Sequence, residues 1–137
     1  MKMKDIAIGT QGTAEIDVVY ELTAASFDRA LPEVHATPCL VRLIEAAARN
    51  AVEPLLDEGE GTVGAAVDVQ HIAGSPVGFH VTAKATVKSV NGRIIVFDVE
   101  AFDDEETVMR GTHTRAVINK AKHAAKLAEK KARKENK

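Results

Sequence analysis

The chain has 137 residues, a formal net charge of −2 and one cysteine. That length suits one domain with its own core and leaves no room for a second, although chains of this size commonly share a core in an oligomer. The lone Cys39 rules out an internal disulfide, and neither a leader's apolar region nor a long apolar span follows Met1-Lys2-Met3-Lys4, so the expectation is a reducing cytoplasm without membrane attachment.

Residues 13–22 alternate, with Ile16, Val18, Tyr20 and Leu22 on one side, which predicts a half-buried strand. Ser26 to His35 has neither periodicity and contains Pro32, so it reads as a loop with at most a short helical turn, able to cover a pocket. Thr37 is a good N-cap and Pro38 suits the first helical position, where the N–H it lacks would go unpaired anyway. Leu40, Val41, Ile44, Ala47, Ala48, Ala51, Val52 and Leu55 then recur at helical spacing until Pro54, Gly59 and Gly61, giving a helix over about 38–55. At 100° per residue Glu45 falls on the margin of its apolar face, partly buried, where a rim glutamate reaching water is the plain alternative.

From Thr62 the pattern is β-like, with Val63, Ala65, Val67, Val69 and His71 on one side and Gly64 breaking the other. After Gly74-Ser75-Pro76, residues 79–90 alternate with His80, Thr82, Lys84, Thr86 and Lys88 on a wet face, and Asn91-Gly92 signals a tight hairpin into 94–102. Asp103-Asp104-Glu105 makes the next turn, 108–118 is the last strand, and Asn119 caps a Lys-rich terminal helix. Residues 119–137 hold eight Lys/Arg against two Glu, so a basic tail follows an acidic body. With no aromatic side chain interleaved for base stacking, it reads as a solvated helix or tail that can help attract an anionic substrate, not as a nucleic-acid partner. The expected organisation is one domain over 1–118 and a basic segment over 119–137, of α+β class, in which an antiparallel sheet wraps one long apolar helix.

This order resembles the hot-dog fold. Leu31-Pro32-Glu33-Val34, Thr37, Glu45-Ala46-Ala47, Glu58-Gly59-Glu60-Gly61, Gly64, His71 and Gly111-Thr112-His113-Thr114-Arg115-Ala116-Val117-Ile118 resemble the fluoroacetyl-CoA thioesterase-like proteins, a likeness that runs over about 13–118. The resemblance implies a catalytic threonine, glutamate and histidine beside a dimer interface, positions held here by Thr37, Glu45 and His71. An imidazole exchanges protons near neutral pH, a carboxylate attacks a thioester carbonyl or activates water, and a hydroxyl polarises or positions either. Taken singly, Thr37 is also explained as a cap and His71 as a core histidine.

Leu31, where the fluoroacetyl-specific member has a lid phenylalanine, and Gly64, whose neighbouring N–H can meet an oxyanion, are implied substrate-side positions. Arg115 shares a strand face with His113, and either binds a phosphate or pairs with an acidic residue across an interface, the pairing being the favoured role. His35, His80, His113 and His123 make no recognised metal spacing with Cys39, so neither a metal nor an organic cofactor is expected. The expected protein is a homodimeric acyl-CoA thioesterase for small or medium acyl groups. Its rivals are a non-catalytic acyl-CoA or small-ligand binding module and a hot-dog hydratase or dehydratase, the latter lacking its usual His/Asp pair.

Overall fold

The computed structural model describes residues 6–136; Met1 to Lys4, where a leader was sought, lie outside them. The elements run β1 (Gln11–Asp17), α1 (Ala24–Phe27), α2 (Thr37–Val52), β2 (Glu60–His71), β3 (His80–Asn91), β4 (Ile94–Phe102), β5 (Thr107–Asn119) and α3 (Lys120–Glu135). All strand pairs are antiparallel, in one sheet of order β1-β3-β4-β5-β2. The sheet curls around α2, as the hot-dog layout requires. Leu40, Ile44, Ala47, Ala48 and Val52 of α2 are fully buried against Val81, Ala83 and Ala85 of β3 and Ile95, Phe97 and Ala101 of β4. The opposite side of β3 is wet, as its alternation predicts, with Lys84 paired to Glu100 at 3.3 Å.

Gly12 lets helix and sheet meet backbone to backbone, since a Cβ there would run into the main chain at Ala47 and Ala51. Asn50 fixes the approach by donating to the Thr13 carbonyl at 2.8 Å. Small residues on both sides set how closely α2 lies on β1, and therefore where its start and middle stand relative to β2.

The structure corrects three expectations. The first strand ends at Asp17, and Tyr20–Leu22 is a 3-10 turn closed by the Thr23 hydroxyl on the Tyr20 carbonyl at 2.6 Å, a local bond that wins over the alternating pattern. Ala36, not Thr37, takes the N-cap position of α2, because its N–H bonds the Leu22 carbonyl at 2.8 Å and holds it extended (φ −69°, ψ 139°). Thr37 is thus already helical, and its hydroxyl is free of the capping role.

The third correction is a β-bulge in β2, where pairing with β5 shifts register between Gly64 and Ala66. Gly64 faces Arg115 across the ladder, whereas Val67 faces His113 and His71 faces Met109. Gly64 and His71 are an odd seven residues apart and would sit on opposite faces of a regular strand. The extra residue brings both to the helix side and turns Val63 and Ala65 away from it.

The outer edge of β2 has no strand partner among the described residues, and residues 64–68 along it are exposed. α3 starts where expected, with Asn119 Oδ1 accepting from the Lys122 N–H at 3.0 Å, and buries none of its residues. Among the described residues, no helix is long and apolar enough to cross a membrane.

Candidate active site

The start of α2 is stitched to the end of β2. Thr23 bridges His35 and Val34 bridges Pro76, while the His35 N–H donates to the Ser75 carbonyl and the Ile72 N–H to the Val108 carbonyl, each at 2.8 Å. Between these fixed backbones Thr37 Oγ1 lies 2.8 Å from His71 Nδ1, a distance at which a proton passes directly. A cavity of about 300 Å³ opens beside the pair, its wall formed by Ala24, His35, Thr37, His71, Ala73 and Gly74 among others.

Burial depresses the pKa of His71, offset in part by the nearby Ala73 backbone. The ring is therefore neutral at pH 7 and able to accept a proton. When Thr37 donates into Nδ1, the ring proton sits on Nε2, which is buried and has no hydrogen-bond partner.

Glu45 belongs to a second cluster. Its Oε2 is 3.6 Å from the Arg115 guanidinium and 3.9 Å from His113 Nε2, and it lies against Gly64, where a Cβ would come within 2.7 Å of it. His113 Nδ1 is 2.8 Å from the Ala66 carbonyl, and Nε2 is 3.1 Å from Arg115 NH1. Since a guanidinium only donates, Nε2 accepts and Nδ1–H donates, which makes His113 a neutral ring. Burial lowers its pKa in the same sense, with Arg115 adding to the effect. The contact of His113 with Glu45 is thus not an ion pair, and Arg115 is the carboxylate's cationic neighbour.

Arg115 spends its remaining donors on Thr62, through Nε to the hydroxyl at 2.8 Å and NH2 to the carbonyl at 3.0 Å. Only 4% exposed, it acts inside its own protomer to hold Glu45 and the bulged end of β2. Within the protomer, the acidic neighbour of Arg115 is Glu45 of α2.

Within one protomer, Thr37 and His71 meet while Glu45 stands apart, as an eight-residue offset along α2 requires: the rise is about 12 Å. Leu31 is 47% exposed and its N–H bonds the Asp28 carbonyl at 2.9 Å, away from the cavity wall. Sequence reasoning weighed His35 and His113 only as metal ligands. The structure instead puts one in the cavity wall and the other in the carboxylate cluster, and among the described residues no group of three or more His, Cys, Asp or Glu side chains could hold a metal ion.

The sequence and the fold are similar to those of known proteins. The sequence profile of the fluoroacetyl-CoA-specific thioesterases matches residues 18–121. A curated fluoroacetyl-CoA thioesterase from Streptantibioticus cattleyicolor is 43% identical over 99 residues, covering 72% of this chain and 71% of that protein. A solved fluoroacetyl-CoA thioesterase structure superposes with a TM-score of 0.84 at 36% identity, covering 90% of this chain and 96% of the other. A thioesterase superfamily member from Thermus thermophilus gives a TM-score of 0.90 at 28% identity, covering 96% and 98%.

Proposed function

The chain belongs to the fluoroacetyl-CoA-specific thioesterase family, and from that membership we propose that it hydrolyses a small or medium acyl-CoA at a site completed by two copies. It is an acyl-CoA thioester hydrolase that releases a carboxylate and coenzyme A. The reading of the site rests on one observation: the Thr37–His71 pair and the Glu45–Gly64 cluster stand on the same face at opposite ends of the open edge strand β2.

The exposed run of β2 covers residues 64–68. If two copies pair their β2 edges antiparallel through that run, the His71 end of one strand runs beside the Gly64 end of the other, and the helix-side faces of both strands lie on the same side of the joined sheet. Neighbouring strands lie about 4.8 Å apart, so Glu45 of the partner subunit comes within side-chain reach of the Thr37–His71 pair. The pairing also covers a long unpartnered edge, which a lone protomer leaves open to aggregation.

In this site the carboxylate takes a proton from a water that attacks the thioester carbonyl, or attacks it directly to form an anhydride that water then cleaves; in either case the C–S bond breaks and coenzyme A departs as the thiolate. A backbone N–H near Gly64 stabilises the oxyanion. His71 exchanges the proton with the departing thiolate and the Thr37 hydroxyl orients the ring. The 2.8 Å hydroxyl–imidazole contact supports a second reading, with Thr37 as nucleophile and His71 as its base. The free Cys39 suits a reducing cytoplasm.

Thiol release over a panel of acyl-CoA thioesters tests the function: turnover of short and medium members is expected, and binding without release would favour a ligand-binding module. A burst of thiol in the first turnover, together with an acyl group trapped on Thr37, would select the acyl-threonine route.

A further inference from the structure

Among the described residues, three buried side-chain nitrogen or oxygen atoms lack any hydrogen-bond partner, and all are imidazole nitrogens at one cavity: Nε2 of His71 and both nitrogens of His35. The mechanism uses His71. His35 is 2% exposed, and its backbone is clamped by the bridge to Thr23 on one side and the bond to Ser75 on the other. An apolar side chain would fill this position and leave no polar atom unpaired, whereas an unpaired buried nitrogen is destabilising.

We infer that His35 is a specificity-determining residue that hydrogen-bonds an oxygen on the acyl group, so that the favoured substrates are short acyl-CoA thioesters bearing a hydroxyl or carbonyl oxygen next to the thioester. The inference rests on the thioesterase reading and narrows its substrate class. Two residues before Thr37, His35 shares the cavity wall with Ala24, Val34, Ala36 and Ala73, whose small or apolar side chains leave space for a short chain but offer it no side-chain hydrogen bond. Burial, with His71 and Arg42 nearby, lowers the pKa of His35 and keeps the ring neutral. A neutral ring has one donor and one acceptor, which suits a hydroxyl or carbonyl better than a carboxylate. An alkyl chain seated there leaves both nitrogens unpaired, and a site with buried polar groups discriminates against the analogue that cannot satisfy them.

The test compares kcat/KM for glycolyl-, lactoyl- and 2-hydroxybutyryl-CoA with that for acetyl-, propionyl- and butyryl-CoA, in the wild-type chain and in His35→Phe and His35→Gln. For the wild type, the best oxygenated substrate is expected to exceed its alkyl counterpart by about tenfold or more, as one hydrogen bond supplies. His35→Phe should bring that ratio close to one, and His35→Gln, which keeps a donor and an acceptor, should restore part of it. A wild-type ratio near one overturns the inference without need of any variant, as does a ratio unchanged in a folded His35→Phe. Either result leaves the thioesterase reading standing, whereas absence of thiol release from the whole panel would defeat that reading itself.

Discussion

Gly64→Ala separates the position of the Glu45 carboxylate from the stability of the fold. The added Cβ would sit 2.7 Å from Glu45 Oε2 and 3.6 Å from both Arg115 NH1 and His113 Cε1, so the oxygen must retreat by about 0.7 Å to reach ordinary contact at 3.4 Å. Gly64 is not in the left-handed region, so alanine adds no backbone strain. The Glu45 side chain is 31% exposed and can yield at an off-rotamer cost of about 0.5–1.5 kcal/mol. Alanine in a strand recovers about 0.5–1 kcal/mol over glycine, so net stability should change by less than about 1 kcal/mol, a Tm shift of under about 5 °C. Catalysis is less forgiving, since misplacing a reacting group by about 1 Å can cost 100-fold. The expected result is a kcat/KM reduced about 10- to 100-fold in thiol release, with a calorimetric Tm close to wild type. Wild-type kcat/KM in Gly64→Ala, alongside an inactive Glu45→Gln, would refute the reasoning, because the carboxylate would then act from somewhere other than its place against Gly64.

His71→Ala and Glu45→Gln should each lower turnover about 100-fold or more without loss of fold, as checked by steady-state kinetics and circular dichroism. Thr37→Ser should keep most activity and Thr37→Ala lose it, yet helix content should hold in both, because Ala36 and not Thr37 stands at the N-cap. Gly12→Ala drives a Cβ into the backbone of Ala47 and Ala51 and should cost about 3 kcal/mol, read from the urea midpoint. Burial lowers the pKa of His35, His71 and His113 below the ordinary 6.5, so below that pH the unfolded chain binds more protons than the folded one. Stability should therefore fall as pH drops from 6.5 through the lowered folded values. Exposed His80, raised mainly by its hydrogen bond to Asp17, has the opposite sign: its contribution is full below 6.5 and is lost as pH rises through the raised value. With His71 as proton acceptor, the acid limb of kcat/KM should lie below pH 6.5 and vanish in His71→Ala.

Periodicity made the main elements legible because each strand and α2 buries one face only. The helical spacing from Leu40 to Val52, the alternation of β3 and the Asn91-Gly92 turn are local signals, and the structure keeps them. The bulge in β2 was not legible, since it is defined by pairing with β5, and Gly64, read as a break in one face of the strand, does not by itself signal a register shift. The N-cap was misplaced for a similar reason: the Ala36 bond to Leu22 is tertiary, and it outweighs the local preference for threonine. Thr37 and His71 could be named from their setting, and they meet. His35 could not, because its neighbours Thr23 and Ser75 are connected to it by no spacing rule.

A complementation assay tests most directly whether the site is shared between two copies. Glu45→Gln and His71→Ala chains, each inactive alone, are mixed, unfolded and refolded together, and thiol release is measured. In a shared site, a mixed dimer has one intact set, His71 from the first chain and Glu45 from the second. Random pairing makes half of the dimers mixed, each with one working site of two, so activity should recover to about one quarter of wild type. Recovery at that level is the expected result. A mixture no more active than its parents, at concentrations where sedimentation shows dimers, would contradict a site built from the Thr37–His71 pair of one copy and Glu45 of the other.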